Sequence, residues 1–295
     1  MNVGFVGLGA LGTPMAVHVA KAFPTTVWNR TPARAEAFAS AHAVTVAPDV
    51  TSLVRAVDTV ITCLPVSADV ASVIAAAGDA WRDGQLVVDC TSGDPAGSRA
   101  NAATLAARGV GFVDAPVSGG TSGAEQGTLT VMLGGAEPWL GRAREAVAPF
   151  AGKVVAVGPV GCGHALKAIN NALLAVNVIA AGEGLAALVK LGVPAARAVE
   201  VINASSGRSN VTENLIPERV LTGAWPRTFS LALLDKDVRV ALAVLEDAGV
   251  ESAMYPVVQR ALAEARKHLD PAADHVEMIR DIEGRAGVTI RSWSA

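Results

Sequence analysis

The chain begins Met1-Asn-Val-Gly-Phe-Val-Gly7-Leu8-Gly9-Ala10-Leu11-Gly12-Thr-Pro14-Met15. The apolar run 3–6 reads as a buried strand, a Gly-x-Gly-x-x-Gly turn follows it, and Pro14 falls where a first-turn proline costs a helix no hydrogen bond. In a strand, turn, helix context Gly7 permits the turn and Gly9 lets the backbone approach a pyrophosphate. Gly12 lets helix and strand pack closely, with Leu8, Ala10 and Leu11 completing a dinucleotide loop at the helix N-terminus. A glycine-rich turn in an α/β protein without a dinucleotide has the same spacing, so the reading rests on the strand before it and the helix after it.

About 20 residues further on, a dinucleotide fold needs a group to meet the adenosine ribose. That segment is Thr25-Thr-Val-Trp-Asn29-Arg30-Thr31-Pro32. A carboxylate there would accept the 2′-hydroxyl of NAD and repel the 2′-phosphate of NADP. Asn29 removes the charge, Arg30 offers a permanently cationic fork and Thr31 a hydroxyl, so NADP is the expected cofactor with NAD as the alternative. The plainer reading makes Thr31 the cap of a helix from Pro32 and leaves Arg30 solvated.

Composition fits a two-domain enzyme. The chain has 295 residues, 51% of them hydrophobic, and a formal net charge of −3 with no basic block, which points away from nucleic acid or an anionic membrane as partner. Cys63, Cys90 and Cys162 are widely spaced and odd in number, as in a reduced, cytoplasmic protein without a disulfide framework. Asn170, Asn171, Asn177 and Glu183 interrupt the apolar segment 168–189 and argue against a membrane span. The histidines show no metal-ligand spacing, so no metal is expected.

Strand-like runs at 3–6, 27–28, 44–46, 59–63, 86–89 and 111–115 alternate with Ala-rich helical stretches, the pattern of a doubly wound parallel sheet. Runs at 128–133 and 153–157, around a helix near 137–149, extend the same sheet. From Gly163 onward no strand is evident. The expected division is a dinucleotide-binding domain over 1–160 and an all-helical substrate and dimerisation domain over 161–295, joined by a long helix.

Two further segments carry chemistry. In Phe112-Val-Asp114-Ala-Pro-Val-Ser118-Gly119-Gly120 a strand runs into a loop that offers an anion one hydroxyl and bare amides, which suits a substrate carboxylate. A hairpin-like turn needing glycine fits these residues equally well. In Gly161-Cys-Gly163-His-Ala-Leu-Lys167-Ala-Ile-Asn170-Asn171, Lys167 and Asn171 fall one turn apart on one helix face, with Asn170 close by. A lysine among apolar neighbours and amides is a candidate acid and base, since desolvation lowers its pKa toward the useful range. Asn171 would hold its amine or the substrate. A lysine snorkelling from a helix end is the alternative.

Taken together, Phe5-Val-Gly-Leu-Gly with Gly12-x-Pro14-Met15, Asp114-Ala-Pro-Val-Ser-Gly-Gly120, Gly163-x-x-x-Lys167-x-x-x-Asn171 and Lys236-Asp237 resemble the β-hydroxyacid dehydrogenases. Within that family, 168–174 and 201–210 are most similar to the bacterial 3-hydroxyisobutyrate dehydrogenases. The resemblance implies a Rossmann-type domain followed by an all-α domain, and it assigns Lys167 as catalytic lysine with Asn171 as partner. It also implies that Ser118, Gly119 and Gly120 hold the substrate carboxylate and that Leu64 and Pro65 line the cofactor. Thr91 and Ser92 would lie near nicotinamide and substrate, and Lys236, in Phe229-x-Leu-x-Leu-x-x-Lys236, would close over the cofactor. Gly93 replaces the aliphatic residue usual after that hydroxyl pair, a change expected to loosen the loop. The implied reaction oxidises a short 3-hydroxy acid such as 3-hydroxyisobutyrate, with tartronate or succinic semialdehyde or glyoxylate reduction as alternatives. A non-catalytic NADP sensor would share only the glycine turn, and the length excludes a phosphogluconate dehydrogenase's larger helical domain. A homodimer or homotetramer is the expected assembly.

Overall fold

The structure is a computed structural model and describes residues 1–291. Its N-terminal part alternates β1 (Val3–Val6), α1 (Gly12–Ala22), β2 (Thr25–Trp28), α2 (Pro32–Ala41), β3 (Thr45–Val46), α3 (Val50–Ala56), β4 (Thr59–Thr62), α4 (Ser67–Ala77), β5 (Leu86–Asp89), α5 (Pro95–Ala106) and β6 (Gly111–Asp114). These six strands lie parallel in the order β3-β2-β1-β4-β5-β6. Chain order reverses between β1 and β4, which puts the β1–α1 turn at the crevice where ligands collect in such sheets. β1, β4, β5 and β6 are buried at every position, as strands covered by helices on both faces must be. Successive residues feed opposite layers: Phe5, Ile61 and Val88 pack with Met15 and Val19, while Val6, Val60 and Val87 pack with Leu53 and Val70.

Beyond β6 the sheet becomes mixed. β7 (Val117–Ser118), α6 (Gly120–Gln126), β8 (Leu129–Gly134), α7 (Glu137–Val147) and β9 (Ala151–Gly158) complete it, β8 running antiparallel to β6 and β7 and parallel to β9. The sequence reading placed β8 and β9 in this sheet but missed β7 and α6, each too short for a periodic signal.

The remaining helices are α8 (Cys162–Lys190), α9 (Ala195–Asn203), a π-helical segment at Val211–Val220, α10 (Leu231–Asp247), α11 (Tyr255–Ala265) and α12 (Met278–Ala286). Their core joins Ala172, Ala175 and Leu185 of α8 to Ile216, Leu234, Val238, Leu262 and Ile279. The compact units are Met1–Lys167 and Ala168–Ala295. The boundary between these units falls inside α8, whose first turn is fastened to the sheet by buried hydrogen bonds. By length and composition α8 is also apolar enough to cross a membrane.

Candidate functional site

The glycine turn meets the requirements of a dinucleotide. Gly7 has φ +106°, and a Cβ there or at Gly12 would collide with the carbonyl of Cys63 or of Gly7 respectively, whereas a Cβ on Gly9 would meet nothing within 4 Å. Two glycines thus close the turn and the third leaves open space. No side chain caps α1, while Asp49, Asp94 and Ser230 cap α3, α5 and α10. The positive end of α1 is left for an anion, so the residues present fit a pyrophosphate. Asn29 laces this turn to the end of β2, its Oδ1 accepting the Leu8 N–H at 3.0 Å and its Nδ2 donating to the Thr31 carbonyl at 3.0 Å. Thr31 makes no side-chain cap on α2. The Arg30 side chain is 83% exposed, its nearest acid Asp69 at 3.6 Å.

At the ends of β4 and β5 the hydroxyl pair divides its work. Thr91 is fully buried: its Oγ1 accepts the Leu64 N–H at 3.1 Å, its N–H donates to Asp89, and its carbonyl accepts from His164 Nε2 at 2.9 Å. Thr91 therefore frames the loop, while beside it Ser92 is half-buried and Pro65 exposed. Asp89 Oδ1 also takes the Thr62 hydroxyl at 2.8 Å, and its Oδ2 has no partner among the described residues. Burial pushes the Cys63 thiol up to about 12, with the Asp89 charge adding to it, and Cys90 rises for the same reasons, so neither supplies a thiolate nucleophile at neutral pH.

His164, which the sequence reading left without a role, pins this loop to α8. Since a carbonyl can only accept, Nε2 carries the proton toward Thr91, and Nδ1 lies 2.6 Å from the Ser98 hydroxyl. Gly93 is the counterpart, because a Cβ there would strike Ser67 Oγ and come within 2.9 Å of His164 Cε1. The departure to glycine packs the loop tightly instead of loosening it. Asp114 holds the start of α8, its Oδ1 accepting the Gly161 N–H at 2.6 Å and its Oδ2 that of His164 at 2.8 Å. Burial pushes the Asp114 carboxyl up, against the lowering by His164 and these N–H groups.

Ser118 ends β7, and Gly119 and Gly120, with φ +132° and +64°, turn the chain into α6. The segment is neither the open loop nor the hairpin turn that the sequence allowed: β7 pairs with β8, and a helix joins them. Lys167, half-buried, closes the N-terminal unit one turn beyond the Asp114 anchor.

The helical unit holds the other residues. Asn171 is buried and donates from Nδ2 to Asp237 Oδ2 at 2.7 Å, and the exposed Asn170 donates to Asn171 Oδ1 at 3.2 Å. Lys236 Nζ lies 3.1 Å from Asp237 Oδ1. Phe229, just before α10, is set by Asp274, whose Oδ2 accepts the N–H groups of Thr228 at 2.7 Å and Phe229 at 2.9 Å and the Thr228 hydroxyl at 2.9 Å. The sequence marked Asp237 only as part of the Lys236-Asp237 motif, with no role of its own, and nothing in it separated Asp274 from an ordinary surface acid. Among the described residues no group of three acids, cysteines or histidines is placed to hold a metal.

A dinucleotide turn at the switch point of a parallel sheet, in a unit that ends at Lys167, followed by an all-helical unit that holds Asn171 and Lys236, defines a two-part NAD(P)-dependent oxidoreductase. Two family models cover the chain: the NAD-binding domain of 6-phosphogluconate dehydrogenase over residues 2–158, and the NAD-binding domain of NADP-dependent 3-hydroxyisobutyrate dehydrogenase over residues 161–282. The 2-(hydroxymethyl)glutarate dehydrogenase of Eubacterium barkeri is 30% identical over 293 residues, covering 98% of this chain and 97% of that protein. A probable 3-hydroxyisobutyrate dehydrogenase of Mycobacterium tuberculosis is 32% identical over 283 residues, 94% of each chain. The solved structure of the Mycobacterium tuberculosis 3-hydroxyisobutyrate dehydrogenase with L-serine superposes with a TM-score of 0.87 at 30% identity, covering 95% of this chain and 98% of that one. The chain belongs to the β-hydroxyacid dehydrogenase family. It is an oxidoreductase acting on a CH–OH group with a nicotinamide cofactor.

Proposed function

We propose that this dehydrogenase acts on acids of the form HOCH2–CHX–COO⁻, 3-hydroxyisobutyrate (X = methyl) first among them, and that NADP is its preferred cofactor. The observation that carries the reaction is the placement of Lys167 and Asn171 one turn apart on α8, a helix whose start is fixed by a buried carboxylate. Similarity supports the substrate class, because 2-(hydroxymethyl)glutarate, 3-hydroxyisobutyrate and L-serine, named for the relatives above, all share that skeleton. Glycerate, the product of tartronate semialdehyde reduction, shares it too. Succinic semialdehyde and glyoxylate differ in chain length and rank below. Asn29, Arg30 and the description of the second family model support NADP.

In oxidation, the Lys167 amine takes the hydroxyl proton at Nζ, while Asn171 holds the donor in line. In reduction, the Lys167 ammonium returns the proton to the forming alkoxide. The nicotinamide, when bound, accepts or returns the hydride. Ser118 and the amides at Gly119 and Gly120 take the carboxylate. A homodimer or homotetramer in the cytoplasm belongs to the same reading, supported by apolar side chains exposed in the helical unit such as Leu191 and Val201.

A panel varying X, run with both cofactors, tests this. The expected result is the highest kcat/KM on a HOCH2–CHX–COO⁻ acid with NADP, and a loss of about 10²-fold or more in kcat for Lys167→Ala with NADPH binding retained. Near-normal turnover by Lys167→Ala removes the lysine from the mechanism, and best activity on a substrate without that skeleton removes the class.

A further inference from the structure

Asp237 has no part in the chemistry described so far, yet it is buried and faces two residues that do. One oxygen takes the Asn171 side-chain N–H at 2.7 Å and the other lies 3.1 Å from Lys236 Nζ. An ionised carboxylate can only accept, so the edge of the Asn171 amide that faces Asp237 is its nitrogen. The amide oxygen is thereby turned away, where it accepts from Asn170 at 3.2 Å and keeps a second lone pair.

This orientation matters because the two edges of a carboxamide have nearly the same shape and opposite polarity. An ammonium or an alcohol hydroxyl approaching Asn171 meets an acceptor if the oxygen points out and a competing donor if the nitrogen does. An asparagine without Asp237 offers either edge. We infer that Asp237 is a positioning residue, locking the Asn171 carboxamide with its oxygen as the working edge and tying that orientation to Lys236, its neighbour in the chain. The inference rests on the reading that Asn171 serves the reaction together with Lys167. It adds what fixes the polarity of that contact and makes Asn171 an acceptor rather than a donor.

The test uses the full-length enzyme with Asn171→Ala, Asp237→Leu, Asp237→Asn and the double variant Asn171→Ala/Asp237→Leu. Readouts are kcat, KM for the hydroxy acid, and the side-chain amide NMR signal of Asn171, assigned by its loss in Asn171→Ala. Asp237→Leu is expected to lower kcat about ten- to a hundredfold, as loss of alignment at a reacting centre does. It should shift the Asn171 amide signal upfield, and the double variant should be no slower than Asn171→Ala alone. Asp237→Asn, which again offers an oxygen, should restore most of kcat and of the signal. An impaired Asn171→Ala beside a normal Asp237→Leu overturns the inference and leaves the function standing, as does a double variant slower than either single one. A fully active Asn171→Ala overturns both. Should Asp237→Leu fail to fold, Asp237→Asn decides alone: kcat kept with the amide signal in place supports the lock, and kcat lost with that signal unchanged overturns it.

Discussion

Asp114 accepts the backbone N–H of His164 at 2.8 Å across 50 residues of sequence, so the last residue of β6 fixes the first turn of α8. The same carboxylate holds Gly161 through its other oxygen, and His164 in turn holds Thr91 and Ser98. One buried cluster thus ties the loop after β5 and the strand leading to Ser118 to the helix that carries Lys167. The sheet needs none of these bonds for its own ladders, which marks their purpose as alignment.

The first prediction follows from that cluster. In Asp114→Asn one carboxylate oxygen becomes an NH2 group facing a backbone N–H, which leaves a buried donor unpaired at about 1–3 kcal/mol. Thermal unfolding should show the loss, and kcat should fall with it while NADPH affinity holds, because the glycine turn is untouched. An unchanged melting temperature would mean that α8 is held by other means. Gly93→Ala should mimic the effect by driving Ser67 and His164 apart, at about 1–3 kcal/mol for overpacking.

The second prediction concerns pH and Asp274. Burial alone would raise its carboxyl, but the hydrogen bond and charge of His275, at 3.0 Å, and the N–H groups of Phe229 and Thr228 outweigh burial and hold it well below the usual carboxylate range. A group depressed on folding contributes stability above its unfolded value of 3.8 and loses it as pH falls through the folded one. The helical unit of the wild type should therefore lose stability steeply in acid. In Asp274→Ala that acid-dependent component should be missing, and at neutral pH the variant should be less stable by about 3–5 kcal/mol, the cost of breaking a buried ionic set. Parallel pH–stability curves for the two proteins would refute this role.

Much of the fold was legible because it rests on local patterns: continuous apolar runs of four residues for the covered strands, glycine spacing for the turn, and Ala-rich stretches for the helices. The short elements β7 and α6 escaped because two strand residues and seven helical ones carry no period. The candidate residues Lys167 and Asn171 were visible as one helix face. Their supports were not: Asp114, His164 and Asp274 act across 45 to 73 residues of sequence, Asp237, visible in its motif, reaches Asn171 across 66, and a buried acid looks the same in sequence as a solvated one. The tertiary hydrogen bonds that fasten the first turn of α8 to the sheet leave no sequence period either.

The last prediction concerns the cofactor. Asn29 is committed at both ends, to the Leu8 N–H and the Thr31 carbonyl, so it sets the turn without contributing charge. Selectivity then falls to Arg30, which is exposed and only loosely matched by Asp69 at 3.6 Å. A 2′-phosphate carries more charge than this single distant carboxylate and should draw the guanidinium away from it. Arg30→Ala should weaken NADP binding about ten- to a hundredfold, with solvent screening favouring the lower figure, and leave NAD nearly unchanged. Asp69→Asn should act in the opposite sense, tightening NADP modestly because the phosphate no longer competes with an acid. Adding Asn29→Asp to Arg30→Ala should reverse the preference: the new carboxylate keeps an oxygen for Leu8 and repels a 2′-phosphate while accepting a 2′-hydroxyl. Ratios of kcat/KM for the two cofactors, measured at two ionic strengths, decide the matter. A wild-type enzyme that prefers NAD, or a ratio that ignores both Arg30 and Asp69, would leave this pair as surface decoration.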